Sequence, residues 1–304
     1  MLELYWKGVN ITDAVKIRSA DHKDTHGKHD SLDMTLERWE TWLSWGPEVD
    51  DELELRLDGY STGKLYLNAM APDEGRFRVL ASAAKSGARI PKSQSFENRS
   101  LGEIGKSTAE GAGMQWKCYG IDEEIRYPYL LRNNETAAAF LSWLAALEGA
   151  VLKTWDGCFL MIGLKDAERL EAVETIPLKV PQPGVSYKRR WDLGRSAVTV
   201  VTPWGSGRAM DPEEADGIPL VLCGTPAADL ASAARFAGNR LEMDNRNRET
   251  LILKSKFRPN WSACVRIDTE GPGELGGKWI LDSVDHDLKN GRSVGKLSRI
   301  GNRK

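Results

Sequence analysis

Leu55-Arg56-Leu57-Asp58, four intervening residues and Gly63-Lys64-Leu65-Tyr66-Leu67 form one half of a pair. Val265-Arg266-Ile267-Asp268, eight intervening residues and Gly277-Lys278-Trp279-Ile280-Leu281 form the other. Each half reads as a strand ending in Asp, a turn, and a returning strand opening with Gly-Lys. Two hairpins built alike and far apart predict two related β-modules with other material inserted between them. The 304 residues give room for two or three domains.

Around the first hairpin the pattern stays β. Leu32, Met34 and Leu36 alternate with polar neighbours, as do Leu53, Leu55 and Leu57; that period marks half-buried strands. Residues 64–67 and 76–81 continue the meander, separated by Pro72-Asp73-Glu74-Gly75.

Helical signals follow. Ser100-Leu101-Gly102-Glu103 is a capping box, in which the serine and the glutamate satisfy each other's free backbone donors. It predicts a helix to about Glu110, stopped at Gly111-Ala112-Gly113. A second helix opens near Asn134-Glu135, places Ala137, Phe140, Leu141, Leu144 and Leu147 at helical spacing, and stops at Gly149. Val151–Trp155, Asp156-Gly157 and Cys158–Leu164 predict a hairpin, because Asp-Gly suits the tight two-residue turn. Pro177 and Pro181-Gln182-Pro183-Gly184 mark a linker or corner. Strands resume near 196–202, Thr225-Pro226 opens a helix toward Asn247, and strands run from Thr250 to the end. The expected division is a β-module over 1–90, an α/β insertion over 91–178, and a second β-module over 179–304 with one helix at about 226–247.

Composition is that of an ordinary globular protein, with 41% hydrophobic and 28% charged residues and a net charge of −2. The longest apolar stretch, 136–152, is interrupted by Ser142, Glu148 and Gly149, so no membrane-spanning helix and no stable membrane insertion are expected. The opening residues lack the regions of a signal peptide, and a cytoplasmic site of synthesis is expected. Basic residues concentrate locally, at Lys188-Arg189-Arg190 and over 254–304, where 11 Lys/Arg stand against 6 Asp/Glu. Cys118, Cys158, Cys223 and Cys264 form no CxxC pair and read as small buried hydrophobes.

Motifs for chemistry are sparse. His22, His26 and His29 lie among Asp21, Asp24 and Asp30; they are the only weak metal candidates, and the stretch reads more simply as a solvated, flexible loop that touches a partner. No cofactor is expected. His286 stands alone, and GxxxxGK[ST] is missing; the stretch 58–63 reads as a turn, and Gly271-Pro272-Gly273 lacks the strand–loop–helix context that makes glycines a phosphate cradle. No catalytic residue is assigned, and the chain reads as a non-enzyme. Trp39, Trp42 and Trp45 recur at three-residue steps, which suits a core, a subunit seam or a partner-contact patch.

Four motifs carry a resemblance. Asp30-Ser31-Leu32-Asp33-Met34-Thr35-Leu36 with 53–67, Ser95-Phe96 through Leu101-Gly102-Glu103-Ile104, Asn134-Glu135-Thr136 through Phe140-Leu141-Ser142-Trp143-Leu144-Ala145 with Glu148-Gly149, and Gly277 through His286 resemble, in order, segments of the phage late-control D or gp27-like baseplate hub proteins of contractile tails. The resemblance spans most of residues 30–300; the Trp39–Trp45 segment matches nothing in the family's pattern.

It implies a mainly β fold with an α+β insertion, in which two tandem tube-type β-barrels flank a helical and hairpin middle segment. It further implies a homotrimeric, pseudo-sixfold ring that adapts a sixfold tail tube to a threefold spike and lets DNA pass. The tube protein would lie above, the spike below and wedge proteins around segment 91–176. The location would be the virion baseplate, with assembly in the host cytoplasm. Edge strands would join subunits, making Leu55, Leu57, Leu65, Leu67, Val265, Ile267, Trp279 and Leu281 the expected interface and Trp39, Trp42 and Trp45 a partner contact. The alternatives are a tail-associated peptidoglycan hydrolase and a carbohydrate- or receptor-binding module.

Overall fold

The computed structural model describes residues 1–179 and 182–300. Pro181, read above as part of a corner, lies outside them. The first β-module comprises β1 (Glu3–Trp6), β2 (Val9–Asn10), β3 (Lys16–Thr25), β4 (Ser31–Arg38), the one-turn α1 (Glu40–Ser44), β5 (Glu52–Leu57), β6 (Tyr60–Ser61), β7 (Leu65–Asp73) and β8 (Arg76–Ser82). Alternate side chains of β1, β3, β4, β5, β7 and β8 share one core, with Leu4, Ala20, Met34, Leu55, Leu65 and Val79 at its centre.

The middle segment holds β9 (Lys92–Ser100), α2 (Leu101–Glu110), β10 (Gln115–Tyr119), β11 (Arg126–Glu135), α3 (Ala137–Leu147), β12 (Ala150–Trp155), β13 (Cys158–Gly163) and α4 (Leu164–Arg169). Its local signals act as read. Ser100 Oγ accepts from the Glu103 amide at 3.2 Å while Glu103 accepts from the Ser100 amide at 2.8 Å. Thr136, one residue beyond the expected start, caps α3. Asp156 and Gly157 both take positive φ, 51° and 73°, the conformation a two-residue hairpin turn demands.

The remaining elements are β14 (Glu174–Pro177), β15 (Val185–Arg189), β16 (Ala197–Thr202), β17 (Gly205–Met210), β18 (Leu220–Cys223), α5 (Leu230–Arg246), β19 (Glu249–Lys256), β20 (Arg266–Glu270), β21 (Gly277–Asp287) and β22 (Arg292–Arg299). Helix α5 starts later than Thr225-Pro226 indicated. Asp229 is the true cap, accepting from the Ser232 amide at 2.7 Å while Ser232 Oγ accepts from the Asp229 amide at 3.1 Å.

A change of core falls between Ala83 and Ala84; further along, Leu178 belongs to the second β-module's core, but the chain then returns to the middle segment's core at Val198. Val198 and Val200 of β16 and Ala233, Phe236, Ala237 and Leu241 of α5 pack with Phe140, Leu144 and Phe159 of the middle segment. The second β-module's own core is Leu251, Leu253, Trp261, Ile267, Trp279, Leu281, Val284 and Leu297. The repeated hairpins are both present with different registers: Ile267 faces Trp279, whereas Leu53, not Leu57, faces Leu65.

The two β-modules are fused into one sheet of 14 strands. Its order is β15-β19-β22-β21-β3-β4-β8-β7-β5-β1-β2, with β20 and β14 beside β21 and β6 beside β5. The fold is mainly β with an α+β insertion.

Candidate functional site

The junction is the antiparallel pairing of β3 with β21, where His22 faces His286, Asp24 faces Val284, Lys23 faces Asp285 and Asp21 faces Asp287. Side chains alternate across a sheet. One face here is buried between the modules and the other is open to solvent.

On the buried face the imidazoles of His22 and His286 lie parallel, 6.4 Å apart. His22 Nδ1 bonds Tyr60 Oη at 2.7 Å. His286 Nε2 must donate to the Trp261 carbonyl at 3.2 Å, so its Nδ1 accepts from Ser293 Oγ at 2.9 Å. Burial pushes His22 down to about 3 and lowers His286 as well. Both are neutral members of an aromatic cluster with Tyr60 and Phe257.

Deeper in, Lys153 of β12 reaches the carboxylate of Asp24 and donates to Ser262 Oγ at 2.9 Å. Asp24 also accepts from Ser262 Oγ at 2.6 Å and the Ala263 amide at 3.0 Å. Asp30 accepts from the Thr25 amide at 3.0 Å and has its other oxygen 3.8 Å from Lys153. Burial would raise Asp24, but the charge and hydrogen bond of Lys153, with that of Ser262, hold it below the usual carboxylate range. Asp30 is raised well above that range by burial and by the Asp24 charge. The Lys153 ammonium thus lies between two buried carboxyl groups, and such pairing is how a buried charge is tolerated.

The stretch read as a solvated, flexible loop is therefore neither. Its first half is strand β3. Its second half is a turn clamped on β12: the Gly27 amide donates to the Leu152 carbonyl at 2.6 Å, and His29 Nδ1 meets Thr154 Oγ1 at 3.0 Å. His26 lies 3.4 Å from Asp282 on β21. Each histidine has its own neighbour, and among the described residues no His, Cys, Asp or Glu group is arranged to hold a metal ion.

On the open face the register sets side chains in rows. Lys256, Arg292, Asp287, Asp21 and Asp33 follow one another across β19, β22, β21, β3 and β4; Lys254, Val294, Asp285, Lys23 and Ser31 form the next row. Lys23 pairs with Asp285 at 3.2 Å, and Asp33 pairs with Arg78. Asp21 is raised by partial burial and by the charges of Asp287, Asp33 and Asp285. An open cleft of about 850 Å³ runs over this acidic centre, flanked on one side by the cations of β19 and β22.

Most of the residues expected at a subunit interface are buried within the chain. Leu55, Leu65, Leu67, Ile267, Trp279 and Leu281 are buried in their own subunit's cores, and Leu57 and Val265 are half-buried. Strand alternation explains it: the apolar phase of each hairpin is its inward phase, leaving the polar phase to face outward. Trp42 is fully buried, and Trp39 stacks on Phe77 at 5.6 Å. Only Trp45 presents a largely open ring, 46% exposed, its other face stacked on Trp6 at 6.0 Å. Cys158 and Cys264 are buried, but Cys223 is exposed, against the reading of all four as core.

No protein-family model and no curated protein sequence matches the chain. Solved structures do. A tail protein from Neisseria meningitidis MC58 aligns with a TM-score of 0.76 at 13% identity, over 99% of this chain and 96% of that one. The 43 kDa tail protein of prophage MuSo2 from Shewanella oneidensis aligns at 0.71 and 13%, over 98% and 97%. An E. coli component of the type VI secretion system, described as structurally similar to the T4 tail proteins gp27 and gp5, aligns at 0.61 and 10%, over 99% and 77%. From end to end the chain has the fold of phage tail proteins and their gp27-like relatives, the fold its four motifs imply.

Proposed function

We propose that this protein is a structural, non-enzymatic hub of a contractile-tail-type machine. In this reading three copies close a ring in which six β-modules match a sixfold tube above, while the threefold arrangement of chains matches a spike below. The observation that carries it is the fusion of two β-modules into one sheet through the pairing of β3 with β21, within a fold shared along its whole length with tail proteins. Each module is the barrel-type unit of the ring, and the middle segment, joined by β16–β18 and α5, faces outward to wedge proteins. The shared sheet's open face, with its cations on β19 and β22 and its acidic centre, is the wall past which DNA moves. Mixed charge suits passage, because a uniformly basic wall would hold phosphates tightly and salt-dependently. The site of action is the virion baseplate after assembly in the host cytoplasm.

Native mass by light scattering tests the proposal. The expected value is three times 33.8 kDa, about 101 kDa; a monomer at all concentrations would refute the ring.

A further inference from the structure

A sheet that ends in open edges must manage them, and the main path of this one, aside from the branch that ends in β14, ends differently at its two sides. At one end is β15, which pairs only with β19 among the described residues. Residues 179–190 carry Lys179, Lys188, Arg189 and Arg190 and no acid. Arg189 is turned to Glu249 and Glu274 and Arg190 to Asp192, whereas Lys179, between β14 and β15, and Lys188, on β15, are exposed. At the other end lie β1 and β2. Here residues 40–58 carry seven carboxylates and one cation, Arg56; Asp51, Glu52, Glu54 and Asp58 pair with Lys7, Lys64, Arg56 and the N-terminal ammonium, while Asp13, just past β2, and Glu48 are exposed.

The acidic end also carries an apolar platform. Val9, Leu43, Trp45 and Val49 are 62%, 42%, 46% and 63% exposed. Trp45 is held flat by Trp6, itself fixed by a 3.0 Å bond from its Nε1 to Asp51. The open face of a tryptophan held rigidly by a second ring is a seat for a cation with an aliphatic stem.

We infer that the two ends meet between copies of this chain: the basic β15 edge of one copy docks on the β1–β2 edge and Trp45 platform of the next. This rests on the ring reading above and names the surfaces that close the ring. The contact joins two different patches, so it is head-to-tail, the type that generates a closed ring when the rotation permits. The second copy is the occupant because the complementary charge lies on the same chain, at the opposite end of the same sheet. The contact uses side chains that the buried hairpin leucines leave free.

Charge reversal tests it, with sedimentation velocity as the readout and circular dichroism as the check of fold. Lys179→Glu with Lys188→Glu, and separately Asp13→Lys with Glu48→Lys, each weaken assembly at least tenfold, and the chain carrying all four substitutions regains it. Wild-type protein that never assembles overturns the ring reading itself. Assembled wild type whose variants all remain assembled overturns only the docking of these two edges, as does a quadruple variant that stays dissociated.

Discussion

Lys153 and Asp24 stand 129 positions apart and form a buried ion pair, each only about 5% exposed. The pair ties the middle segment to the first β-module. Through Ser262 and the Ala263 amide it also holds the loop between β19 and β20 of the second. One side chain thus bridges three regions of the chain.

Lys153→Ala leaves Asp24 charged and buried without its partner, a change that costs about 3–5 kcal/mol. Lys153→Met combined with Asp24→Leu removes both charges and is expected to cost less than the single substitution. Urea denaturation of the two variants measures the difference.

Stability falls as the pH drops from about 6.5 toward 4. His22 and His29 are held near 3 and 4 in the folded chain by burial, against 6.5 when unfolded. The unfolded state therefore binds more protons across this window, and each group contributes a slope of up to about 1.4 kcal/mol per pH unit. Asp24, depressed when folded, adds a loss as the pH falls through its folded value. Asp30, raised, acts in the opposite sense: its contribution is present in acid and is lost as the pH rises through its folded value. Melting temperature against pH checks the sign, and His22→Phe flattens the profile.

Two glycines predict opposite outcomes. A Cβ on Gly207 of β17 would stand 2.2 Å from the Ala234 amide nitrogen and 2.3 Å from the Ala233 carbonyl carbon. Gly207→Ala therefore forces α5 off its sheet, at a cost of about 1–3 kcal/mol or more. Gly238, inside α5, has open space, so Gly238→Ala stabilises by about 0.5–1 kcal/mol. Thermal melts of both variants read the two signs.

If the shared face is a channel wall, Asp285→Cys is modified readily by a small thiol reagent in every state. In the assembled ring it is shielded from a bulky maleimide, and dissociation removes the shielding. The labelling is done with exposed Cys223 replaced; equal reactivity toward both reagents in the ring contradicts the placement.

The turns and caps were legible because their signals are local. The Ser100–Glu103 box and the Asp156-Gly157 turn depend on residues within four positions of one another. Strand β3 was not legible. Its inward positions are Ala20, His22 and Asp24, and a strand that buries a histidine and a carboxylate breaks the apolar alternation by which strands are recognised. Its stabilising partner, Lys153, lies far along the chain. The sequence of α5 likewise shows an apolar face without saying which core receives it, and so the helix was grouped with the wrong neighbours. One chain does not reveal the direction of an apolar phase, so the leucines of the repeated hairpins suggest contact surface in the sequence, whereas in the fold most of them point inward.

The central claim is that two fused β-modules per chain build a threefold ring with sixfold character. Rotational analysis of class averages from negatively stained particles tests this most directly. The account predicts a pierced ring of six similar lobes whose power concentrates in the threefold and sixfold harmonics. A ring with any other dominant order, or compact particles without a central hole, would contradict it.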